Sequence, residues 1–463
     1  MFLAEPKGLP VGATTFTARI PSLITSGVAR FRDHDERKGL SLEEVAFTAY
    51  YPTEADVSSK SLAKGLHWIT RPLRTALEGF VRFSGARSWL AWSVLLPLVY
   101  LYGRFLKIPV YPNAPLLNPN RASAPKKQWP LVIFSHGLGG SRTAYSQICT
   151  RIASSGRVVL AIEHRDGTGT ACTTRSWDSE GKCSTRPILY IRESDALYGE
   201  EDKDALMPLR RDQLIIRHYE IYTAYKRFSQ FVRDQSDSGL QVEDAKDFQY
   251  DSWRNNGGGQ CPVRLDEVCL AGHSFGGCTT FSVLSSNPPE GFPRIPITQA
   301  LIYDPWLEPL PSPGPMPLSS SGIKTDPDSL SSKSTLSGTE TLPEMLVINS
   351  EGFTLWRDHF ARLEDVVKKW GPESKLLTLV RSRHHHFSDF AVLPLVQQKG
   401  PVKLMDIIEE LSLSFLDGQL NQKLESQKTR KMEVEVMGDR KDAWGGPKRR
   451  IIGELGDIVV HDD

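Results

Sequence analysis

Gly272-His273-Ser274-Phe275-Gly276-Gly277 follows directly on the apolar run Val268-Cys269-Leu270-Ala271, and no other stretch of the chain constrains its fold as tightly. A Gly-x-Ser-x-Gly sequence between a strand and a helix is the pattern of a nucleophile elbow, a sharp turn that lifts the serine hydroxyl above a sheet. The turn leaves no room for side chains two residues either side of the serine, a demand that glycine at 272 and 276 meets. Gly277, Cys278, Thr279 and Thr280 are small enough for a helix to start close against the sheet. Its first amides then face the point where an oxyanion develops. Tight glycine turns in other α/β proteins share the short pattern, and the flanking strand and helix favour the elbow.

Seven short apolar runs read as strands: 45–51, 131–134, 158–162, 268–271, 300–303, 345–348 and 376–380. Such runs suit parallel strands buried on both faces. Helical patterns lie between them, most clearly from Arg211 to Val232, where Ile215, Tyr219, Tyr222, Tyr225, Phe228 and Phe231 recur. Alternating strands and helices predict an α/β fold with a mostly parallel sheet covered on both sides, and with the elbow this is an α/β-hydrolase. The expected organisation is one catalytic domain over residues 1–420 and a charged, partly disordered tail over 421–463. Segments 173–186, 235–262 and 311–340 read as mobile surface insertions.

The formal net charge of +1, with 24% charged residues, offers no basic excess to attract a phosphate backbone, so nucleic acid is not an expected partner. The six cysteines include no CxxC pair, which fits a reducing, cytoplasmic setting. Export would instead permit a bridge between Cys172 and Cys183. The start, Met1-Phe2-Leu3-Ala4-Glu5-Pro6-Lys7, has neither the pattern of a secretory signal nor a glycine for myristoylation.

Residues 87–106 hold the apolar stretch Trp89 to Tyr102. It is shorter than the roughly 20 residues that cross a bilayer and contains Pro97. Its tryptophans and tyrosines between Arg87 and Arg104 suit a helix lying on a membrane surface, and equally a buried core helix.

A serine nucleophile needs an acid and then a histidine, each after a later strand. Asp304 follows the run 300–303 and Glu351 follows 345–348, so both stand where the acid belongs. Asp304 is preferred, with Glu351 as a structural carboxylate. Past the last run comes Arg381-Ser382-Arg383-His384-His385-His386-Phe387-Ser388-Asp389-Phe390, the histidine-bearing loop late enough to supply the base. Neighbouring loop side chains diverge and no second cluster lies at ligand spacing, so no metal and no other cofactor is expected. Ser135-His136-Gly137-Leu138-Gly139-Gly140 follows the run 131–134 and is placed to give the second oxyanion amide. The expected oxyanion donors are the amides of Leu138 and Phe275.

Together Phe134-Ser135-His136-Gly137-Leu138-Gly139, Glu163-His164-Arg165-Asp166, the elbow, Ile348-Asn349-Ser350-Glu351 and His384 through Phe390 resemble the platelet-activating-factor acetylhydrolase family, from about Val45 to Leu416. The resemblance implies a calcium-independent serine hydrolase that removes short or oxidised sn-2 acyl groups from glycerophospholipids. It maps the acid onto Asp304, within Tyr303-Asp304-Pro305-Trp306, and selects His384 as the base, beside Ser274 as nucleophile. It also implies a phospholipid substrate and a lipid-surface role for the region 87–106. A general carboxylesterase or lipase is the alternative, and a non-catalytic lipid-binding protein a more remote one.

Overall fold

The computed structural model describes residues 1–31, 38–54, 64–85, 89–122, 126–198, 206–235, 238–254, 261–318, 342–394, 397–441 and 447–461. All seven apolar runs lie on strands. In chain order the principal strands are β1 (Val11–Phe31), β2 (Lys38–Pro52), β3 (Trp129–Ser135), β4 (Val158–Glu163), β5 (Ala171–Trp177), β6 (Cys183–Leu189), β7 (Val263–His273), β8 (Ile297–Tyr303), β9 (Glu344–Ser350), β10 (Ser374–Leu379) and β11 (Ile458–Val460). One large sheet carries nine of them in the order β1-β2-β4-β3-β7-β8-β9-β10-β11, while β5 and β6 pair with each other. From β4 to β10 every pairing is parallel, while β1, β2 and β11 add antiparallel margins. Elbow, acid and histidine therefore follow the ends of β7, β8 and β10, at one edge of a mostly parallel sheet. This is the α/β-hydrolase arrangement.

Both faces of the central strands are apolar, which is why their sequences read as continuous hydrophobic runs. Along β3, Ile133 joins a cluster with Phe47, Phe228 and Trp253, while Val132 and Phe134 join the opposite cluster with Ile148, Ile408 and Leu411. The principal helices are α1 (Leu73–Ser84), α2 (Trp89–Leu101), α3 (Ser146–Ser154), α4 (Pro208–Val232), α5 (Phe275–Leu284), α6 (Arg357–Lys369) and α7 (Lys399–Leu416).

Four expectations need correction. On α4, Ile215 is 47% exposed, and the buried face carries Arg217 and Glu220 besides Phe228 and Phe231. Charged groups were placed inward there because they have partners at the site. Segment 173–186 belongs to an antiparallel hairpin of β5 and β6. Its register sets Cys172 against Ile188 and Trp177 against Cys183. The two thiols thus sit at opposite ends of the hairpin, too far apart to bridge, and all six cysteines are free. Segment 235–262 is not loose throughout, since Phe248 and Trp253 are buried among Phe16, Phe228 and Phe231. Of segment 311–340, residues 319–340 lie outside the described residues.

The fourth correction concerns residues 421–463, read as a tail because their composition is charged. The segment's described residues instead include strands that join the large sheet. β11 pairs with β10, with Val460 opposite Leu377, and Ile451 and Val459 bury against Val380. A short amphipathic strand of this kind has no local signal, since its pairing partner lies some 80 residues earlier.

Helix α2 packs on α1, with Val99 buried and Trp92, Leu96, Leu98, Tyr100 and Leu101 exposed, Leu101 at 62%. Among the described side chains of this helix, only Val99 reaches the core. Among the described residues no helix is long and apolar enough to cross a membrane.

Candidate active site

Ser274 sits between the end of β7 and the start of α5 with φ 57° and ψ −118°, a conformation that costs a non-glycine residue on the order of 1–3 kcal/mol. Its backbone is held on both sides. Ser274 N donates to Tyr303 O at 3.0 Å, and Ser274 O accepts from Trp306 N at 3.1 Å and Cys278 N at 3.0 Å. A Cβ on Gly272 would stand 2.2 Å from Gly276 O, and one on Gly276 would stand 2.0 Å from Ser135 O. The two glycines are therefore required by close backbone approach around the turn.

His384 bridges the serine and the acid. Its Nε2 lies 2.8 Å from Ser274 Oγ and its Nδ1 lies 2.7 Å from Asp304 Oδ2. With Asp304 as acceptor, the proton is assigned to Nδ1, which leaves Nε2 free to take the serine proton. Phe353 stacks on the His384 ring at 4.4 Å and 8°, which fixes the plane of the imidazole. Asp304 is fully buried and accepts from Ser350 N at 2.6 Å and Ser350 Oγ at 2.7 Å. With the Asn349 amide turned to suit both its neighbours, Asn349 Nδ2 also donates to Asp304 Oδ1 at 2.8 Å. These donors hold the carboxylate aimed at His384.

Glu351 occupies no such place. It accepts from Arg381 N at 2.5 Å and Ile451 N at 3.2 Å, and so ties the loop before His384 to the C-terminal segment. Of the adjacent histidines, His386 Nδ1 accepts from Arg383 N at 2.9 Å and is used in shaping that loop. His273 is buried, its Nδ1 sits 2.8 Å from Tyr145 Oη, and its ring lies 4.6 Å from that of His384. Burial and the neighbouring His384 push His273 well below the ordinary imidazole range, so it is neutral. Donor atoms of His273, Asp304 and His384 lie within 4.8 Å of one another, a spacing an ion would accept, but each residue is already hydrogen-bonded through Tyr145, Ser350 or Ser274.

The loop after β3 approaches the serine closely. A Cβ on Gly137 would stand 2.9 Å from Ser274 Cβ. Gly137 N donates to Tyr145 Oη at 3.2 Å, Gly139 N to Thr168 O at 2.8 Å and Gly140 N to Gly137 O at 3.1 Å. Leu138 N is the remaining amide of this glycine-rich turn, and among the described residues it has no acceptor. Phe275 opens α5, so its amide is one of those a helix start leaves unsatisfied. Gly137 of the loop after β3 thus lies against Ser274, and Phe275 follows the serine directly at the start of α5.

Several residues that hold this site together were not anticipated. Asp389 is buried and accepts from Trp68 Nε1 at 2.9 Å, Ser146 N at 3.0 Å, Ser146 Oγ at 2.5 Å and Gln147 N at 2.9 Å. It caps α3 and locks the histidine loop to the helix that follows the oxyanion loop. Its signal was present in Phe387-Ser388-Asp389-Phe390, but a second aspartate so near the histidine carried no separate meaning. Tyr145, Arg217 and Glu220 have no local signal, since buried polar side chains are recognisable only by partners far away in sequence, and Asp166 stands in the motif 163–166 with no role attached to it.

The family model described as platelet-activating factor acetylhydrolase, isoform II, matches residues 28–314. That range includes Leu138, Ser274, Phe275 and Asp304, while His384 lies beyond it. The platelet-activating factor acetylhydrolase of Canis lupus familiaris is 27% identical over 383 residues, covering 80% of this chain and 71% of its own. That of Cavia porcellus is 28% identical over 394 residues, covering 82% and 74%. A putative phospholipase A2 of Schizosaccharomyces pombe is 27% identical over 312 residues, covering 65% and 64%. Among solved structures, a ferulic acid esterase from Streptomyces cinnamoneus aligns with a TM-score of 0.48 at 13% identity, over 98% of this chain and 99% of that one. The chain belongs to the platelet-activating factor acetylhydrolase, isoform II, family.

Proposed function

We propose that this protein is a calcium-independent serine esterase that hydrolyses the short or oxidised sn-2 acyl ester of glycerophospholipids, 1-alkyl-2-acetylglycerophosphocholine among them. The observation that carries the reading is His384 standing 2.8 Å from Ser274 Oγ and 2.7 Å from Asp304 in a member of this family. Ser274 Oγ attacks the sn-2 carbonyl carbon while His384 Nε2 takes the hydroxyl proton. Asp304 accepts from Nδ1–H and stabilises the imidazolium. The carbonyl oxygen, now an oxyanion, receives the Leu138 and Phe275 amides, each such donor contributing roughly 3 kcal/mol. Collapse breaks the ester bond, and His384 returns its proton to the departing lysophospholipid oxygen. Water, deprotonated by His384, then releases the acyl group as a carboxylic acid and restores Ser274.

The exposed apolar face of α2, with Phe83 at the end of α1, supports a resting position on lipid. Phe83 lies against the oxyanion loop, where a Cβ on Gly139 would meet its ring at 2.4 Å. Lipid contact there brings the substrate surface to the serine. A short or oxidised acyl group, partly soluble, leaves such a surface more readily than a long chain.

The test compares the wild type with Ser274→Ala, in EDTA, on phosphatidylcholines carrying sn-2 acetyl, oxidised and long unmodified chains. Release of the first two only, lost in the variant, is the expected result. Serine-dependent cleavage of soluble esters with none of these lipids cleaved would establish a general carboxylesterase instead. Vesicle binding without labelling of Ser274 by an organophosphonate would establish a binding protein.

A further inference from the structure

Beneath the oxyanion loop lies a buried ionic cluster that the triad does not use. Arg217, from α4, is fully buried, and its guanidinium reaches both halves of the oxyanion hole. Nη1 donates to His136 O at 2.8 Å and to Thr279 Oγ1 at 3.1 Å, Nη2 donates to Thr168 Oγ1 at 2.6 Å, and Nε donates to Asp166 Oδ2 at 2.8 Å. The guanidinium carbon also stands 4.5 Å from the centre of the Phe275 ring. One contact thus fixes the peptide before Gly137. Two others, to Thr279 and Phe275, fix the first turn of α5. The contact to Thr168 reaches the residue whose carbonyl holds Gly139 N at 2.8 Å.

Peptide planarity turns these anchors into a direction for the donor. In a trans peptide the carbonyl of one residue and the amide of the next point opposite ways. Gly137 O accepts from Gly140 N at 3.1 Å and from His136 Nδ1 at 2.9 Å, so Leu138 N–H points away from them. Neutral His136 donates there through Nδ1 and keeps Nε2 as an acceptor. Burial, helped by the charge of Arg217, pushes it down to about 3, and its Nε2 accepts from His164 N at 3.2 Å. The preceding peptide is pinned likewise, its carbonyl on Arg217 and its amide on Tyr145 Oη. A lysine would supply the charge but not the planar fork that spans these acceptors.

We propose that Arg217 is the positioning residue of the oxyanion hole, joining the Leu138 loop to the Phe275 helix turn and so setting the separation and aim of their two amides. The inference rests on the reading of Ser274 as nucleophile with Leu138 and Phe275 as oxyanion donors. Asp166 is its counter-ion, and Thr168 and Thr279 are the acceptors that orient it. An oxyanion hole displaced by a fraction of an ångström still binds the planar ester but loses the tetrahedral state.

The experiment compares wild type, Arg217→Lys and Thr279→Val on p-nitrophenyl acetate, with turnover normalised to folded protein by near-ultraviolet circular dichroism. In parallel it compares inhibition by an alkyl trifluoromethyl ketone, which forms a tetrahedral adduct, with inhibition by the matching alkyl alcohol, which does not. Arg217→Lys is expected to lose about 10²-fold in kcat, the effect of one oxyanion donor, with KM within about threefold. Trifluoromethyl ketone affinity should fall by a similar factor and alcohol affinity should stay the same. Thr279→Val, an isosteric change that leaves the charge in place, is expected to show the same split at about tenfold, and carries the test if Arg217→Lys does not fold. Lower thermal stability with unchanged kcat per folded molecule, or equal losses for ketone and alcohol, would overturn the proposal. Wild-type protein that an organophosphonate fails to label at Ser274 would overturn the underlying reading instead, so the two failures are told apart.

Discussion

Asp304 and Glu351 both follow parallel strands, yet only one of them meets the histidine, and the difference comes from what each backbone does next. Asp304 has φ 43°, and its amide donates to Ile348 O at 2.9 Å, so its side chain turns under the β9 end toward His384. Glu351 opens a helical turn, and its longer side chain reaches Arg381 N and Ile451 N. Substitution should separate the two roles. Asp304→Asn keeps the shape but leaves His384 without the carboxylate that selects its tautomer, and kcat should fall by about 10⁴ with little change in thermal midpoint. Glu351→Gln should lower the midpoint by the cost of weakened buried hydrogen bonds, about 1–3 kcal/mol. Its kcat should change far less than that of Asp304→Asn. Steady-state kinetics beside a thermal melt reads both, and a large kcat loss for Glu351→Gln with Asp304→Asn active would exchange their assignments.

At the scale of elements, the site is a meeting of three segments: the elbow, the oxyanion loop running into α3, and the histidine loop. Asp389 joins the last two, and its ionisation gives the joint a pH dependence. Burial pushes its carboxyl up to about 6 from an ordinary value near 3.8, against the donors Ser146, Gln147 and Trp68, which favour the charge. The folded chain therefore holds this proton more tightly than the unfolded chain. That contribution to stability is fully present below about 4 and is lost as pH rises through about 6. Asp389→Asn has no such proton. The stability gap between wild type and Asp389→Asn, from denaturant melts at a series of pH values, should shrink from pH 4 to 6 and be level above 7. A gap that grows over the same interval would mean that the donors outweigh burial. The lipid contact proposed for α2 has its own test: Leu98→Asp and Leu101→Asp should weaken binding to phosphatidylcholine vesicles by roughly 10-fold or more each, as expected for losing a buried leucine contact. Hydrolysis of a soluble ester should be unchanged, and unaltered vesicle binding would move the contact elsewhere. Elements of this kind differ in how much of them the sequence displays. The central strands are legible because both their faces are buried, leaving unbroken apolar runs. β1 leaves no such run, being a marginal antiparallel strand with Arg19, Pro21, Ser22 and Thr25 exposed. Ser274 is legible from the elbow, whereas the order of strands leaves Asp304 beside Glu351 and His384 among three adjacent histidines, and only the family resemblance selects between them. Arg217 and Glu220 are not, since a charge on a helix reads as a solvated face until its partners on other elements are known.

For the whole molecule, the C-terminal segment closes the sheet beside the loop that carries His384. β11 covers the free edge of β10, which would otherwise expose unpaired backbone groups next to the last catalytic loop. Its contacts continue into that loop: Val380 packs on Ile451 and Val459, Val380 N donates to Asp457 O at 2.9 Å, and Gly456 N donates to Val380 O at 3.0 Å. Glu351 then links the Ile451 amide to that of Arg381, which has φ 62°. A residue in that left-handed conformation persists only where its surroundings impose it, and here they do so with atoms from both ends of the fold's second half. Packing at Ile451 is thus expected to act on His384 at a distance. Ile451→Ala, far in sequence from the triad, should destabilise the protein by about 2–5 kcal/mol. Amide exchange across 380–384 should rise before that of the central strands, because the loop then opens locally below the global unfolding energy. Activity should fall through kcat, since the imidazole spends less time aligned between Ser274 and Asp304, while KM holds. Hydrogen exchange read by mass spectrometry, with kinetics well below the new midpoint, decides it: uniform loss of protection with kcat unchanged would leave the C-terminal strand a cover for the sheet edge and nothing more.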